Sequence, residues 1–310
     1  MKKISVIIPL YCEETTIEEC YKRLVNTLCN IENYTYELIF VNDGSTDNSL
    51  KLLNTICSSD TNVKVLSFSR NFGHQASIAA GLKEVTGDAI IIIDADLQDP
   101  PELIPNMLKY WEEGNEVIYG KREKRNGETT FKLLTAKLFY KIFNDLSDTQ
   151  IPIDTGDFRL VDRKIVDIIN SMPEHNKFLR GLFSWVGFKQ IPYEYERQKR
   201  FSGKTKFHLN KMLNLAIDGI ISFSKKPLKI IGYLGISCII LSSVFLLYTL
   251  LSYVFNFNFL QPCYTIIIFA IIFFSGLQLC SLWIVSEYIG RIYDQTQNRP
   301  EYIIEKRINF

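Results

Sequence analysis

The chain has 310 residues, with 35 Lys and Arg against 34 Asp and Glu, so its formal net charge is only +1. This near-neutral total argues against a generally basic protein that binds nucleic acid, and against an acidic disordered chain. Hydrophobic residues make up 47% of the sequence, enough for a packed core of one or two domains.

Short apolar runs alternate with helical patterns along the N-terminal part of the chain. Continuously apolar runs predict strands that are buried on both faces, and the amphipathic segments between them predict helices. The predicted strands are residues 3–10, 37–42, 63–68, 89–94 and 116–120, and the predicted helices are residues 15–29, 47–57, 74–85 and 102–113. Strands that alternate with helices predict an α/β fold with a mainly parallel, Rossmann-like sheet.

Polar side chains follow the carboxyl ends of the predicted strands, where ligands bind in such sheets. Tyr11 and Glu13 follow the first strand, Asp43 follows the second, and Asp94 and Asp96 follow the fourth. In an extended segment residues i and i+2 share a face, so both of the last two carboxylates are expected to point into one space. Such a pair suits Mg²⁺ or Mn²⁺ beside a substrate diphosphate. For Asp94 and Asp96 the alternative is a solvated loop, and for Asp43 it is a purely structural turn.

Charge is segregated in the C-terminal third of the chain. Residues 197–229 carry nine Lys and Arg against one Asp, and residues 230–286 carry no charged side chain. A bilayer core needs about 20 apolar residues per helix, so the uncharged block predicts two transmembrane helices, near 230–254 and 263–286. A buried hairpin of a soluble protein is the alternative. Basic residues flank both spans, so the positive-inside rule places both termini in the cytosol.

These blocks predict four parts of the chain. Residues 1–206 form the α/β domain that carries the candidate site, 207–229 an amphipathic interfacial segment, 230–286 the transmembrane hairpin, and 287–310 a cytosolic tail. The apolar residues of 209–221 recur with helical spacing next to the basic run, which favours docking at a membrane surface. The three histidines (74, 175 and 208) are scattered and are interpreted as surface or packing residues.

Four motifs together resemble the family 2 glycosyltransferases. They are Val-Asn-Asp-Gly-Ser-Thr-Asp at 41–47, Asp-Ala-Asp-Leu-Gln-Asp-Pro-Pro at 94–101, Thr-Gly-Asp-Phe-Arg-Leu at 155–160 and Arg-Gly-Leu-Phe-Ser-Trp-Val-Gly at 180–187. More narrowly, the chain resembles the polyprenyl-phosphate branch, which includes bactoprenol glucosyltransferases and dolichol-phosphate mannose synthase. The resemblance implies a GT-A fold and metal-dependent, inverting sugar transfer to a membrane polyprenyl phosphate. The chain lacks the Q-x-x-R-W signature of processive polysaccharide synthases.

The resemblance also implies roles for individual residues. Pro9, Tyr11, Glu13, Asp43 and Asp94 are expected to bind the nucleotide sugar, and Asp94, Asp96 and Gln98 the metal. The catalytic candidates are Asp157, Asp96 and Arg122. Asp157 is expected to act as a base, as electrostatic support for the oxocarbenium-like centre, or by orienting Arg159, and a structural Asp–Arg pair is the alternative.

A phosphate acceptor needs cations more than it needs a base. A phosphate monoester has a second pKa of about 6 and is largely ionised near pH 7. Arg binds phosphate through two parallel hydrogen bonds and Lys binds it as a point charge. The residues expected to bind the acceptor phosphate are Arg122, Arg200, Ser202 and Lys204.

The expected activity is transfer of glucose from UDP-glucose to undecaprenyl phosphate at the cytoplasmic leaflet of a bacterial inner membrane, for modification of cell-envelope glycans. The alternatives are another donor (GDP-mannose, UDP-N-acetylglucosamine or UDP-galactose), a lipid or protein hydroxyl as acceptor, or a non-enzymatic membrane adaptor. The expected partners are the nucleotide sugar, the polyprenyl phosphate and the lipid bilayer. The resemblance further suggests a homo-oligomer such as a tetramer.

Overall fold

A single mixed sheet frames the part of the chain that the computed structural model describes, namely residues 1–122, 152, 155–174, 177–198, 226–254 and 263–310. Its strands within these ranges are β1 Lys2–Leu10, β2 Tyr34–Asn42, β3 Val63–Phe68, β4 Ala89–Ile92, β5 Val117–Arg122, β6 Thr155–Asp162, β7 Gln190–Tyr195 and β8 Ile304–Ile308. Their order across the sheet is β7-β5-β6-β4-β1-β2-β3-β8.

The middle of the sheet is parallel, as the alternation of strands and helices predicts. β1 pairs in parallel with β2 and with β4, and β2 pairs in parallel with β3. Two strands run the other way, since β6 is antiparallel to both β4 and β5, and β8 is antiparallel to β3. The carboxyl ends of β1, β2 and β4 therefore lie along one edge of the sheet, which is where the candidate residues cluster.

Helices cover both faces of this sheet. They are α1 Ile17–Cys29, α2 Ser49–Ser59, α3 His74–Glu84, α4 Ile104–Glu112, α5 Arg163–Ser171 and α6 Leu179–Trp185, and a 3₁₀ turn, Pro101–Leu103, precedes α4. Side chains alternate along β1, so that Ile8 packs in a core cluster with Leu24 of α1 and Ile7 in a second cluster with Ile78 of α3. Burial on both faces explains why the strands read as continuously apolar runs.

The fourth predicted strand is shorter than expected, and this corrects one step of the site prediction. β4 ends at Ile92, and Asp94 to Asp96 lie in the turn that follows. Asp96 Oδ1 accepts a hydrogen bond from Gln98 N at 3.1 Å, and Leu97 has a positive φ of 59°. The carboxylate thus stabilises a turn in place of extended pairing. The i, i+2 argument for a shared face therefore does not hold here.

Two long helices, α7 Lys226–Val254 and α8 Cys263–Gln297, contain the stretches predicted to span a membrane. Among the described residues, none of the helices combines the length and the apolar character that a membrane crossing requires. Most of the predicted interfacial segment, residues 207–225, lies outside the described residues. The predicted tail, 287–310, is not a separate part, because it first continues α8 and then supplies β8.

Candidate active site

The turn after β2 ties the ends of β1 and β2 together. Gly44 has a φ of +64°, and a Cβ on it would lie 2.3 Å from the carbonyl carbon of Arg70, so the position requires glycine. Ser45 Oγ accepts a hydrogen bond from Cys12 N at 2.9 Å. Pro9 pairs with Val41 inside the sheet. The predicted nucleotide-binding residues of β1 and β2 are therefore brought to one place.

Two further members of that predicted set, Tyr11 and Glu13, follow β1 directly. Tyr11 is partly exposed, whereas the backbone of Glu13 is fixed, since Glu13 N donates to Ser49 Oγ at 3.1 Å. Ser49 begins α2, so the end of β1 is tied to that helix. The exposed ring and the fixed turn are compatible with the predicted nucleotide contacts, which stay predictions.

Asp43 is buried at this edge and organises the segment that precedes α3. Its Oδ1 accepts a hydrogen bond from Phe72 N at 2.7 Å, and its Oδ2 accepts one from Gly73 N at 3.0 Å. Burial raises the pKa of Asp43, and these two backbone hydrogen bonds oppose the rise. The structural role named as an alternative is thus present. A carboxylate has about four acceptor sites, so a base contact remains compatible with it.

The turn after β4 holds the two acidic residues of the predicted metal site. Asp96 is buried, and Asp94 is half-buried with an Oδ1 that accepts no hydrogen bond from the described residues. Gln98 extends this turn, and its carbonyl oxygen accepts a hydrogen bond from Gln198 N at 3.0 Å. An orphaned carboxylate oxygen is costly unless a cation or another ligand meets it.

Asp157 faces this turn from β6 and is held by Arg180 of α6. Arg180 Nε and Nη2 donate to Asp157 Oδ1 and Oδ2 at 2.7 and 2.8 Å, a bidentate pair. His74, the first residue of α3, donates from Nε2 to Asp157 Oδ2 at 3.1 Å and lies 3.6 Å from Asp94 Oδ1. The side chain that Asp157 orients is therefore that of Arg180. The side chain of Arg159 instead donates to the carbonyls of Gly156 and Asp157.

The charges of this cluster shift one another's pKa. Burial, together with the nearby carboxylates of Asp157, Asp99 and Asp96, raises the pKa of Asp94 to about 6 against the opposing effect of His74. Burial disfavours the charged form of His74, but the carboxylates of Asp94 and Asp157 outweigh it and raise its pKa to about 9. Burial likewise opposes ionisation of Asp157, yet Arg180 and His74 hold its pKa well below the usual range. Asp157 is therefore an anion and a poor base.

The donor set fits a divalent cation of the Mg²⁺ or Mn²⁺ type. Asp94 and Asp96 supply hard oxygen ligands, and Asp94 Oδ1 accepts no hydrogen bond from the described residues, although the His74 ring lies 3.6 Å away. Within the described ranges no group of three or more His, Cys, Asp or Glu side chains could hold a metal. Two carboxylates suffice where substrate phosphates complete the coordination sphere, as is usual for Mg²⁺.

Arg122, the predicted catalytic and acceptor-binding residue, ends β5 close to β6. Its Nη2 atom lies 2.7 Å from the point that a Cβ on Gly156 would occupy, so the missing side chain there makes room for the guanidinium. The Arg122 Nε atom is buried and has no hydrogen-bond partner among the described residues. Arg122 also interacts with Tyr195, whose hydroxyl donates to Asp99. The other predicted acceptor ligands, Arg200, Ser202 and Lys204, lie outside the described residues.

The sequence interpretation of His74 as a surface or packing residue did not foresee its contacts with Asp157 and Asp94, and the role of Arg180 was missed. No pattern near His74 marks it, because its partners are 20 and 83 residues away along the chain. A signal for Arg180 did exist, since it opens the motif at 180–187. An arginine that heads a family motif and has no assigned partner is a reasonable candidate for pairing with the motif aspartate, Asp157.

Comparisons with known proteins bear on the family and the fold. Residues 5–169 match the family model for Glycosyl transferase family 2. An uncharacterised glycosyltransferase of Bacillus subtilis (strain 168) is 47% identical over 97% of this chain and 93% of its own length. A prophage bactoprenol glucosyl transferase homolog of Escherichia coli (strain K12) is 40% identical over 98% of this chain and 99% of its own length.

Among solved structures, a mannosyltransferase from Pyrobaculum calidifontis in complex with GDP-Man and Mn²⁺ superposes with a TM-score of 0.50. It is 17% identical and covers 72% of this chain and 65% of its own. At that identity the likeness concerns the fold alone. Together with the family match it confirms the expected GT-A fold.

Proposed function

The chain belongs to glycosyl transferase family 2 and is a glycosyltransferase, and on that premise we propose that it transfers a hexose from a nucleotide sugar to a membrane polyprenyl phosphate, with inversion. UDP-glucose and undecaprenyl phosphate are the first-choice substrates, because the Escherichia coli relative is named a bactoprenol glucosyl transferase homolog. The observation that carries the proposal is the group of acidic side chains at the carboxyl edge of the sheet, in which Asp94 Oδ1 accepts no hydrogen bond from the described residues.

The acidic residues divide the chemistry between them. Asp94 and Asp96 would hold a divalent cation, which when bound stabilises the negative charge that develops on the diphosphate leaving group. Asp157 keeps its own negative charge beside the reacting centre, because Arg180 holds its pKa well below the usual range. Among the three roles expected for Asp157, electrostatic support is the one that this low pKa favours.

The low basicity of Asp157 also favours a phosphate acceptor over a hydroxyl acceptor. A hydroxyl must lose its proton as it attacks, which calls for a base with a pKa near the working pH. A phosphate monoester already carries negative charge near pH 7. Arg122 would bind that phosphate from the end of β5, where its buried Nε atom has no partner among the described residues.

Anchoring in the bacterial inner membrane, with both termini cytosolic, is part of the proposal. The uncharged block 230–286 lies in α7 and α8, and apolar side chains on both helices, such as Ile240, Leu241 and Ile271, are more than half exposed. β8 pairs with β3 after the two helices, so the chain before and after them lies on one side. An even number of crossings follows for any membrane passage between them. The expected homo-oligomer stays a prediction.

The test is a transfer assay with membranes that contain the full chain, Mg²⁺ or Mn²⁺, undecaprenyl phosphate and a panel of labelled nucleotide sugars. We expect an acid-labile glycolipid with UDP-glucose, and its loss on chelation or in Asp96→Ala. The matched control is Asp167→Ala, which removes an exposed carboxylate of α5. Full activity after chelation would contradict the metal assignment. Labelling of diacylglycerol in place of the polyprenyl phosphate would favour the hydroxyl acceptor.

A further inference from the structure

The end of the chain is built into the edge of the sheet that leads to the active site. β8 pairs with β3 through Ile308 with Val65, Arg307 with Leu66 and Lys306 with Ser67, and the register shifts before Phe68 pairs with Ile304. Just beyond the strands, Ser69 N donates to the carbonyl of Ile303 at 3.1 Å. The backbone contact therefore continues past the end of β3, into the segment that precedes α3.

Aromatic rings extend this contact toward the site. The Tyr302 ring stacks on Phe68, with centroids 5.0 Å apart and an interplanar angle of 13°. Phe68, which is fully buried, meets Phe72 edge to face at 5.7 Å. Tyr302, Phe68 and Phe72 thus form a continuous row, so removal of the Tyr302 ring is expected to expose Phe68 and to weaken the packing of Phe72.

The inner end of the row is the segment that Asp43 holds. Phe72 N and Gly73 N are the two donors to the Asp43 carboxylate. The next residue, His74, contacts Asp157 and lies near Asp94. A shift of this segment would therefore displace groups at two candidate substrate-binding positions.

We propose that Tyr302 is a positioning residue for the active site and that the segment Tyr302 to Ile308 fixes residues 69–74 in their binding conformation. The proposal rests on the function proposed above where it concerns the nucleotide sugar. On this proposal, β8, which returns to the sheet after α8, supports the active site. The part of the chain that follows the two long helices helps to form the site in the domain that precedes them.

The same segment also contacts the far end of α3. Arg307 Nη2 lies 2.9 Å from Glu84 Oε1, and the Lys83 ammonium lies 5.2 Å from the Tyr302 ring centre. Because α3 begins at His74 and ends at Glu84, the C-terminal segment contacts both the approach to this helix and its last turn. The helix that carries His74 is thereby fixed at two points.

Hydrogen exchange of the full chain tests the positioning without any assay of activity. In Tyr302→Ala we expect the amides of 69–74, including the two donors to Asp43, to exchange about 10-fold faster, with peptides from β1 and α1 within about 2-fold of wild type. Tyr302→Phe keeps the ring and should restore wild-type exchange. Phe310→Ala, which removes an exposed ring of the same tail beside Lys64, is the matched control and should match wild type. Unchanged exchange in 69–74, or acceleration spread evenly over the domain, would overturn the proposal.

Steady-state kinetics with UDP-glucose tests the consequence for substrate. For Tyr302→Ala we expect the KM for UDP-glucose to rise about 3- to 10-fold and kcat to change less than about 2-fold, since the loss falls on binding. A fall in kcat with unchanged KM, the signature of fewer folded molecules, would count against the proposal. If the wild-type protein transfers nothing from any nucleotide sugar, the proposed function fails, and the exchange experiment still decides the positioning role.

Discussion

Two carboxylates at opposite ends of the same sheet, Glu37 buried and Asp94 half-buried, are stabilised to different extents. Glu37 lies near the start of β2 and is 2% exposed, whereas Asp94 follows the end of β4. Hydrogen bonds to Glu37 from Ser5, Thr86, Lys3 and Lys64 outweigh the effect of burial and lower its pKa to about 2. Asp94 Oδ1 accepts no hydrogen bond from the described part of the chain, and burial and the carboxylates around it raise the pKa of Asp94 to about 6. Four donors therefore stabilise the charge of Glu37, whereas His74 only partly offsets the cost of charging Asp94.

The largest expected effect is at Asp94, the carboxylate in the candidate active site. Asp94→Asn should lower transfer by at least about 100-fold, because a proposed metal ligand beside the leaving group is lost. Without metal, the same change should raise the free energy of unfolding by about 1 kcal/mol, since it removes a carboxylate whose raised pKa shows that folding disfavours its charge despite the nearby His74. Transfer assays and urea unfolding in chelator measure the two quantities. An Asp94→Asn variant that is less stable than wild type and fully active would contradict the difference proposed between Asp94 and Glu37.

The opposite pattern is expected for Glu37→Gln. The free energy of unfolding should fall by about 3 kcal/mol, because the two lysine ammonium groups lose their shared partner and the buried hydrogen bonds weaken. Activity per folded molecule should stay at the wild-type level, since Glu37 is far along β2 from the site. Urea unfolding and active-site-normalised kinetics give both values. Glu32→Gln, in an exposed loop, is the control that should change neither.

The pH dependence of stability tests the same residue from another side. The pKa of Glu37 falls from 4.5 to about 2 on folding, so the unfolded chain takes up the proton first as the pH drops. Its contribution is therefore complete above pH 4.5 and is lost between pH 4.5 and about 2. The stability difference between wild type and Glu37→Gln should shrink across that window. A difference that is constant with pH would contradict the assignment.

A smaller effect on transfer is expected at Arg180, whose guanidinium pairs with Asp157. Arg180→Lys keeps the positive charge next to Asp157 but loses the bidentate pair, and we expect transfer to fall by about 10-fold. Asp157→Asn should leave measurable activity, and the double variant should lose less than the two single losses combined. Kinetics of the three variants give the coupling. Complete loss in Asp157→Asn, with an acid limb of the pH profile that this change abolishes, would restore the base role.

The smallest effect is expected at the rim of the structural cluster. Lys3 is 34% exposed, and Glu37 keeps Lys64, Ser5 and Thr86 when Lys3 is replaced. Lys3→Met should therefore change the free energy of unfolding by about 1 kcal/mol or less. Thermal or urea unfolding measures it. A loss of stability as large as that in Glu37→Gln would mean that the charge of Glu37 is stabilised mainly by its ion pair with Lys3.

Much of the site could be predicted because the chain carries its acidic residues directly after buried strands. Asp43, Asp94 and Asp96 each follow a recognisable apolar run, and parallel strands bring those ends to one edge. The side chains that determine their electrostatics came from elsewhere. His74 is brought by the start of α3 and Arg180 by α6, an element that the apolar pattern did not reveal.

By itself, the sequence determined the alternation of strands and helices, the place of the acidic turn, the family motifs and the uncharged block, because each depends on residues that are close along the chain. Only the tertiary structure decided that Asp157 pairs with Arg180, that His74 lies between two carboxylates, and that the last strand completes the sheet beside β3. These contacts join residues far apart in sequence. They result from the packing of helices on a twisted sheet, and local patterns in the sequence do not predict them.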